Sequence, residues 1–455
     1  MLDRPILFVA LNLLFYPIGL MAFGFKMSWV LMIVFMVIII LYNSTKVGVD
    51  TALTMAILYS TLFDSDYFTI TSLKLRVWYI LVLYLLAKLF FQNVLRKNWT
   101  VKNRELSIFV LMMFLLSAVH FLFDNLDGRL SNIKYWLFSV GLYYLVYKGL
   151  KPFFVANRKR ILDFLISLNV FISAYGVFQF IGVLAGFGPR VMYDYLAIRP
   201  EAFFSETTWY GTYAAFGMVL IFLKYEEIKS NRILILLPIN LVGLILSATR
   251  NTYFMIIALV FWQILMFAAF GDVLRIRKVF NRYVALLTIA ILAIYVLNLE
   301  VINKYIDLIL YKFQLKDSSA TGRIDVIIAS LKVIANNLFF GHGFDFNPLT
   351  EVTSSGASLG SKSFNLFLMI GHIYGLLGFL PFFGMIMYSM FKMLLKYVRT
   401  SDRYVKYAII LFTGYILMCM VAPLHQFPMG ITIVATSSLF GADNLIMTKV
   451  AANRT

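Results

Sequence analysis

Apolar runs long enough to cross a bilayer follow one another through almost the whole chain, and one long polar stretch interrupts them at 300–361. A helix needs about 20 apolar residues to span hydrocarbon, because lipid offers no partner to unpaired backbone groups. Runs of this kind predict spans near 5–23, 28–43, 51–63, 77–93, 107–123, 135–149, 161–182, 209–223, 233–248, 252–270, 283–298, 363–391, 407–422 and 431–447. With 61% hydrophobic and 14% charged residues, the composition fits neither a soluble domain nor a disordered chain. The expected fold is all-α: a polytopic membrane protein of about 14 transmembrane helices, one integral domain over 1–455. A large outer loop at 299–361, containing amphipathic helices, lies within it. The run at 6–23 lacks a small-residue cleavage pattern after it and is expected to be retained as a helix.

The formal charge of +18 taken alone suggests nucleic acid or anionic lipid as a partner. The placement of the basic residues gives a better account. With the N-terminus inside, the loops that carry 96–104, 157–160, 275–278 and 396–399 all fall on the cytoplasmic side. That side then holds nearly all of the excess, as the positive-inside rule requires. No nucleic-acid role is expected. The single cysteine, Cys419, excludes an intrachain disulfide framework and a Cys-rich metal site. The segments 183–208, 249–251, 300–361 and 423–430 then face outward. A chain this apolar has little reason to hold a long polar segment outside the bilayer unless chemistry happens there.

Four features gather on that face. The stretch Ile-Arg-Pro-Glu-Ala-Phe-Phe-Ser-Glu-Thr-Thr-Trp-Tyr-Gly (198–211) leads into a span. Pro200 keeps Arg199 out of helix and on an extended approach. Ser205 or Thr207 can cap the next helix, with Glu206 in or near its first turn, either as a complement to the dipole or as a catalytic group. In Leu-Ser-Ala-Thr-Arg-Asn-Thr-Tyr (246–253), Arg250 sits in a connection of a few residues between two apolar runs. An ionisable group held there faces a cavity or partner, or snorkels to headgroups. In Thr-Gly-Arg-Ile-Asp (321–325), Arg323 precedes apolar residues at helical spacing, Ile324, Ile327, Ile328, Leu331 and Ile334. The pattern predicts a helix lying on the membrane surface. Arg323 at its start, with exposed backbone N–H groups, suits a phosphate. Last comes Gly341-His342-Gly343 followed by Asp345. His342 there is a candidate base or phosphate donor, or a turn histidine with a structural hydrogen bond. Structural roles are expected for His120, His372 and His425.

Taken in order, these motifs resemble the O-antigen polymerase and O-antigen ligase superfamily of bacterial inner-membrane proteins. The Phe-Phe-x-Glu-Thr-like motif, Ser-Ala-Thr-Arg, and Thr-Gly-Arg before an amphipathic helix carry the resemblance. So do Asn-Asn-Leu-Phe-Phe-Gly-His-Gly-Phe, Ser-Phe-Asn-Leu-Phe-Leu (363–368) and Gly-x-x-Gly (375–378). The match covers roughly 190–395. It implies a metal-independent, cofactor-free glycosyltransferase that uses undecaprenyl-pyrophosphate-linked glycans at the periplasmic face in polysaccharide or lipopolysaccharide biosynthesis. Arg199, Arg250 and Arg323 would bind the donor pyrophosphate. Glu206 is the first candidate for the base, with Asp325, Asp345 and His342 in reserve. Membrane lipids, a flippase and a chain-length regulator are the implied partners. Ligases carry His-Asn where this chain has Phe364-Asn365, which favours a repeat-unit polymerase. A ligase of the same superfamily and a lipid-linked oligosaccharide transporter are the alternatives. The transporter would need charges inside several spans and two related halves, whereas nearly all charges here sit at span ends.

Overall fold

The computed structural model describes residues 104–134, 136, 141–186, 191–193, 198–202, 204, 207–270, 318–344, 365–420 and 428–441, with short pieces at 68–70, 73–75, 79, 82–84, 87 and 307. For some of these, Arg250 and Arg323 among them, only the backbone is described. The spans predicted at 5–23, 28–43, 51–63 and 283–298, and most of 77–93, lie outside the described residues.

Among the described residues the architecture is all-α. Its helices are α1 (Arg104–Phe123), α2 (Leu126–Lys134), α3 (Gly141–Leu184), α4 (Thr207–Ile228), α5 (Leu237–Ser247), α6 (Arg250–Phe270), α7 (Ser318–Asn336), α8 (Leu366–Thr400), α9 (Arg403–Cys419) and α10 (Pro428–Gly441). Two antiparallel hairpins accompany them: β1 (Phe68–Ile70) with β2 (Leu73–Leu75), and β3 (Val191–Tyr193) with β4 (Ile198–Pro200). Two helical stretches among the described residues are long and apolar enough to cross a membrane, Arg158–Leu184 and Leu366–Thr400. Shorter apolar stretches occur at Leu111–Phe123, Asn231–Ser247 and Thr252–Met266.

Most predicted spans coincide with a helix, and three details differ. A loop that reverses the chain was expected at 157–160, between the spans at 135–149 and 161–182, but α3 continues through it, so these two runs belong to one helix and not to two antiparallel spans; Arg and Lys are good helix formers, and no Gly or Pro stands there to stop the helix. The run at 233–248 divides into a 3-10 turn, Asn231–Leu236, and α5, where Pro238 sits in the first turn of the α-helix. The surface helix predicted from Ile324 onward begins earlier, at Ser318.

The core lies where α3, α4, α5, α6, α9 and α10 pack together. Close approach depends on small residues: side chains added at Gly176 of α3 or Gly243 of α5 would overlap Tyr210 of α4. Tyr210 is fully buried, and its hydroxyl donates to Ser173 O at 2.9 Å. Asn169 donates to Tyr213 O one turn further along. Such polar ties between apolar helices are worth about 1 kcal/mol each.

Charge marks one end of this bundle. Lys224 of α4 meets Asp163 of α3 at 2.8 Å and Glu227 at 3.2 Å. Lys406 of α9 meets Glu226 at 2.6 Å. Arg158 meets Asp402, the N-cap of α9, at 3.3 Å and lies 4.3 Å over the Tyr404 ring. Burial, aided by the hydrogen bond to Glu227, raises the Tyr404 hydroxyl pKa above its ordinary value. The segments joined here, 157–160, 224–228 and 402–406, are ones the sequence assigned to the cytoplasmic side. The opposite end holds β4, the turn between α5 and α6, and the meeting of α8 with α9, where Asn365 Nδ2 donates to Met420 O at 2.8 Å.

Candidate functional site

At that opposite end the chain doubles back three times in a small volume. Arg199 occupies β4, paired with Met192 of β3, so the extended backbone expected before Pro200 is present. The hairpin is pinned to α3 by Gln179, whose amide both donates to Ala202 O (3.0 Å) and accepts from Ala202 N (2.7 Å). Ala202 has a positive φ of 52°, which reverses the chain toward α4. The side chain of Arg199 turns inward and is 7% exposed. Its Nε donates to Ser247 O at 2.8 Å.

Ser247 ends α5. Ala248 follows in the left-handed conformation (φ 44°, ψ 44°), and α6 begins at Arg250. Ser247 Oγ donates to Leu244 O at 2.7 Å and lies 3.1 Å from Thr249 Oγ1. Thr252 Oγ1 returns a bond to Thr249 O at 2.7 Å. These bonds hold the turn rigid and bury its polar groups. The second turn of α4 is seated on it, since a side chain at Gly211 would meet Ser247 and Thr252.

The beginning of α6 and the second turn of α4 therefore pack beside the turn to which the Arg199 guanidinium is bonded. A helix N-terminus carries about half a positive charge and up to four unbonded N–H groups. Helix N-termini beside a guanidinium make the kind of corner that suits an anion with several oxygens. Glu201 is also buried here, two residues from Arg199, and sets a limit on the local positive charge.

Of the three arginines singled out from sequence, two are brought to this corner by the backbone: Arg199, and Arg250 as the first residue of α6. The side chain of Arg250 lies outside the described residues. Arg323 belongs to α7, which is seated on α8. It stands in the second turn, so the exposed N–H groups of that helix belong to the residues from Ser318 to Thr321 and not to the stretch after Arg323. Its side chain also lies outside the described residues. Asp325 is exposed on α7. Glu206 and Asp345 lie outside the described residues, and α4 begins one residue after Glu206.

His342 has a different setting. Its Nε2 is 2.9 Å from Val333 O, its backbone N–H donates to His372 O at 2.6 Å, and its ring stacks on His372 at 5.4 Å. His120 Nε2 is 2.9 Å from Phe340 O. Each of these bonds ties one chain segment to another. Asp124, which the sequence did not single out, accepts from Phe344 N at 3.0 Å.

The sequence reading quoted Ser247 and Thr249 within Ser-Ala-Thr-Arg without giving them a role and passed over Gln179; these are the residues that orient the corner. Ser247 and Thr249 precede Arg250 in a short connection between apolar runs, and their hydroxyls were the available signal. No protein-family model matches the chain, and no curated protein matches it in sequence.

Proposed function

We propose that this protein is a bacterial inner-membrane glycosyltransferase that polymerises undecaprenyl-pyrophosphate-linked oligosaccharide repeat units on the outer face, within a fold of about 14 spans. The observation that carries the reading is the corner at which the start of α6 at Arg250 and the early turns of α4 meet beside the buried Arg199. It supports a diphosphate ligand, and the order of motifs along 190–395 supports a lipid-linked glycan as its bearer.

Pyrophosphate is a good leaving group once its charge is balanced. Arg199 and Arg250 supply guanidinium contacts that strengthen as negative charge develops on the departing lipid diphosphate, and Arg323 on α7 is the third by the resemblance. The acceptor hydroxyl then attacks the anomeric carbon of the donor sugar, the bond to the diphosphate oxygen breaks, and a base takes the hydroxyl proton. Glu206 is the first candidate for that base by its place between Arg199 and α4. Asp325 and His342 are the reserves, although His342 Nε2 is already directed at Val333 O.

The test is incubation of purified protein with lipid-linked repeat units in the presence of a metal chelator. A ladder of products that grows by whole repeat units is expected. Folded protein that yields no species longer than the substrate contradicts the reading, and transfer of a finished glycan to a different acceptor identifies a ligase.

A further inference from the structure

Helix α8 is broken in mid-course. Gly375 has φ 57° and ψ −156°, a conformation open in practice to glycine alone. A break in a helix leaves N–H and C=O groups without their usual partners, and here the residues after α7 supply them. Leu376 N donates to Leu338 O (2.8 Å) and Leu377 N to Phe339 O (3.2 Å). In return His342 N donates to His372 O (2.6 Å) and Gly343 N to Ile373 O (3.0 Å). The turn is closed from its other side by His120 on Phe340 O, by Asp124 on Phe344 N and by Asn337 Nδ2 on Gly341 O.

We propose that residues 338–344 enter the hydrocarbon layer as a re-entrant turn, with Leu338, Phe339 and Phe340 against the acyl chains of lipid. The inference rests on the membrane reading given above and goes beyond it, because the sequence assigns this segment to an outer loop. Three observations carry it. The first is depth: Lys392 is the first basic residue of α8, and counting about 20 residues back from it sets the outer boundary near residue 372. Gly375 and the turn bonded to it then lie just inside. The second is hydrogen bonding. Irregular backbone survives at membrane depth only where protein satisfies its polar groups, and the bonds above do so. The third is what the turn shows to its surroundings. Phe339 and Phe340 are 62% and 56% exposed, beside exposed Leu377 and Leu380 of α8 and Phe123 of α1. This apolar surface continues the outward face of two apolar helices, so lipid is the occupant it fits.

The test uses single-cysteine variants in a Cys419→Ala background, spin-labelled and reconstituted into phosphatidylethanolamine–phosphatidylglycerol vesicles. Phe340→Cys, Phe339→Cys, Leu380→Cys and Lys332→Cys are compared by accessibility to oxygen and to an aqueous nickel chelate. The labels at 339 and 340 are expected to show an oxygen-to-nickel ratio several-fold above that at 332, and a shallower depth than the label at 380. Water-like labels at 339 and 340 with a hydrocarbon-like label at 380 overturn the re-entrant turn alone. Labels at 339 and 340 shielded from both reagents overturn it as well, and show that protein covers the patch. A water-like label at 380 overturns the membrane reading together with the turn.

Discussion

Replacing Gly375 with alanine tests the junction on which α8, α7 and the 338–344 turn depend. Alanine at φ 57°, ψ −156° is strained by about 1–3 kcal/mol. Its methyl group would also overlap the Phe339 carbonyl and lie 2.7 Å from Gly341 N. Both atoms are backbone, so no side-chain rotation relieves the contact and the turn has to move. Displacing it forfeits at least the bonds from Leu376 and Leu377, each worth about 0.5–1.5 kcal/mol. The total is roughly 2–6 kcal/mol, which corresponds to a fall of at least about 25-fold in local protection. Hydrogen–deuterium exchange by mass spectrometry reads this directly on peptides covering 337–344 and 372–378. The control is Gly384→Ala, a position with no atom of the described residues within 4 Å of an added methyl, where protection should hold or rise slightly. Unchanged exchange at 337–344 in Gly375→Ala would refute the reasoning, because the strain and the overlap leave no native-like alternative.

Other predictions are independent of that junction. Arg250→Ala and Arg323→Ala should each abolish long-chain glycan while the protein remains in the membrane, and Arg250→Lys should fail too, since lysine cannot make the bidentate contact; normal polymer from either alanine variant contradicts the pyrophosphate role. Lys224→Met strands Asp163 and Glu227 at the charged end of the bundle and should cost roughly 3 kcal/mol, seen as a lower thermal midpoint in detergent, whereas an unchanged midpoint would mean that solvent already screens both carboxylates. Asn240 is fully buried in α5, and neither polar atom of its amide has a hydrogen-bond partner among the described residues. Asn240→Leu should therefore stabilise the protein by about 1–2 kcal/mol, and a loss of stability would show that the amide binds something inside the bundle.

The helices were the most legible part of the sequence, because period and length of apolar runs are set by the same backbone constraint that builds them. The predicted span at 252–270 and α6 end at the same residue, and α4 starts two residues before its predicted span. Where polar residues extend a helix the reading stopped short: α8 runs on through Lys392 and Arg399, and α7 begins among serines that give no apolar period. The extended backbone at Arg199 was readable because proline restricts its predecessor. The Gly-x-x-Gly and Gly-His-Gly motifs stood out in the sequence, but their meaning did not, since the break at Gly375 is satisfied by residues more than thirty positions earlier. Contacts of that range leave no local periodicity to read. The same holds for the Arg199 bond to Ser247, which joins segments 48 residues apart.

The central claim is that guanidinium groups at the outer end of the bundle grip a lipid diphosphate. Its most direct measurement is the affinity of the purified protein for undecaprenyl pyrophosphate against undecaprenyl monophosphate, in wild type and in Arg250→Ala. Tighter binding of the diphosphate by about tenfold or more, a difference of at least 1.4 kcal/mol, is predicted for the wild type and should vanish in the variant. Equal affinity for the two lipids in the wild-type protein would contradict the account.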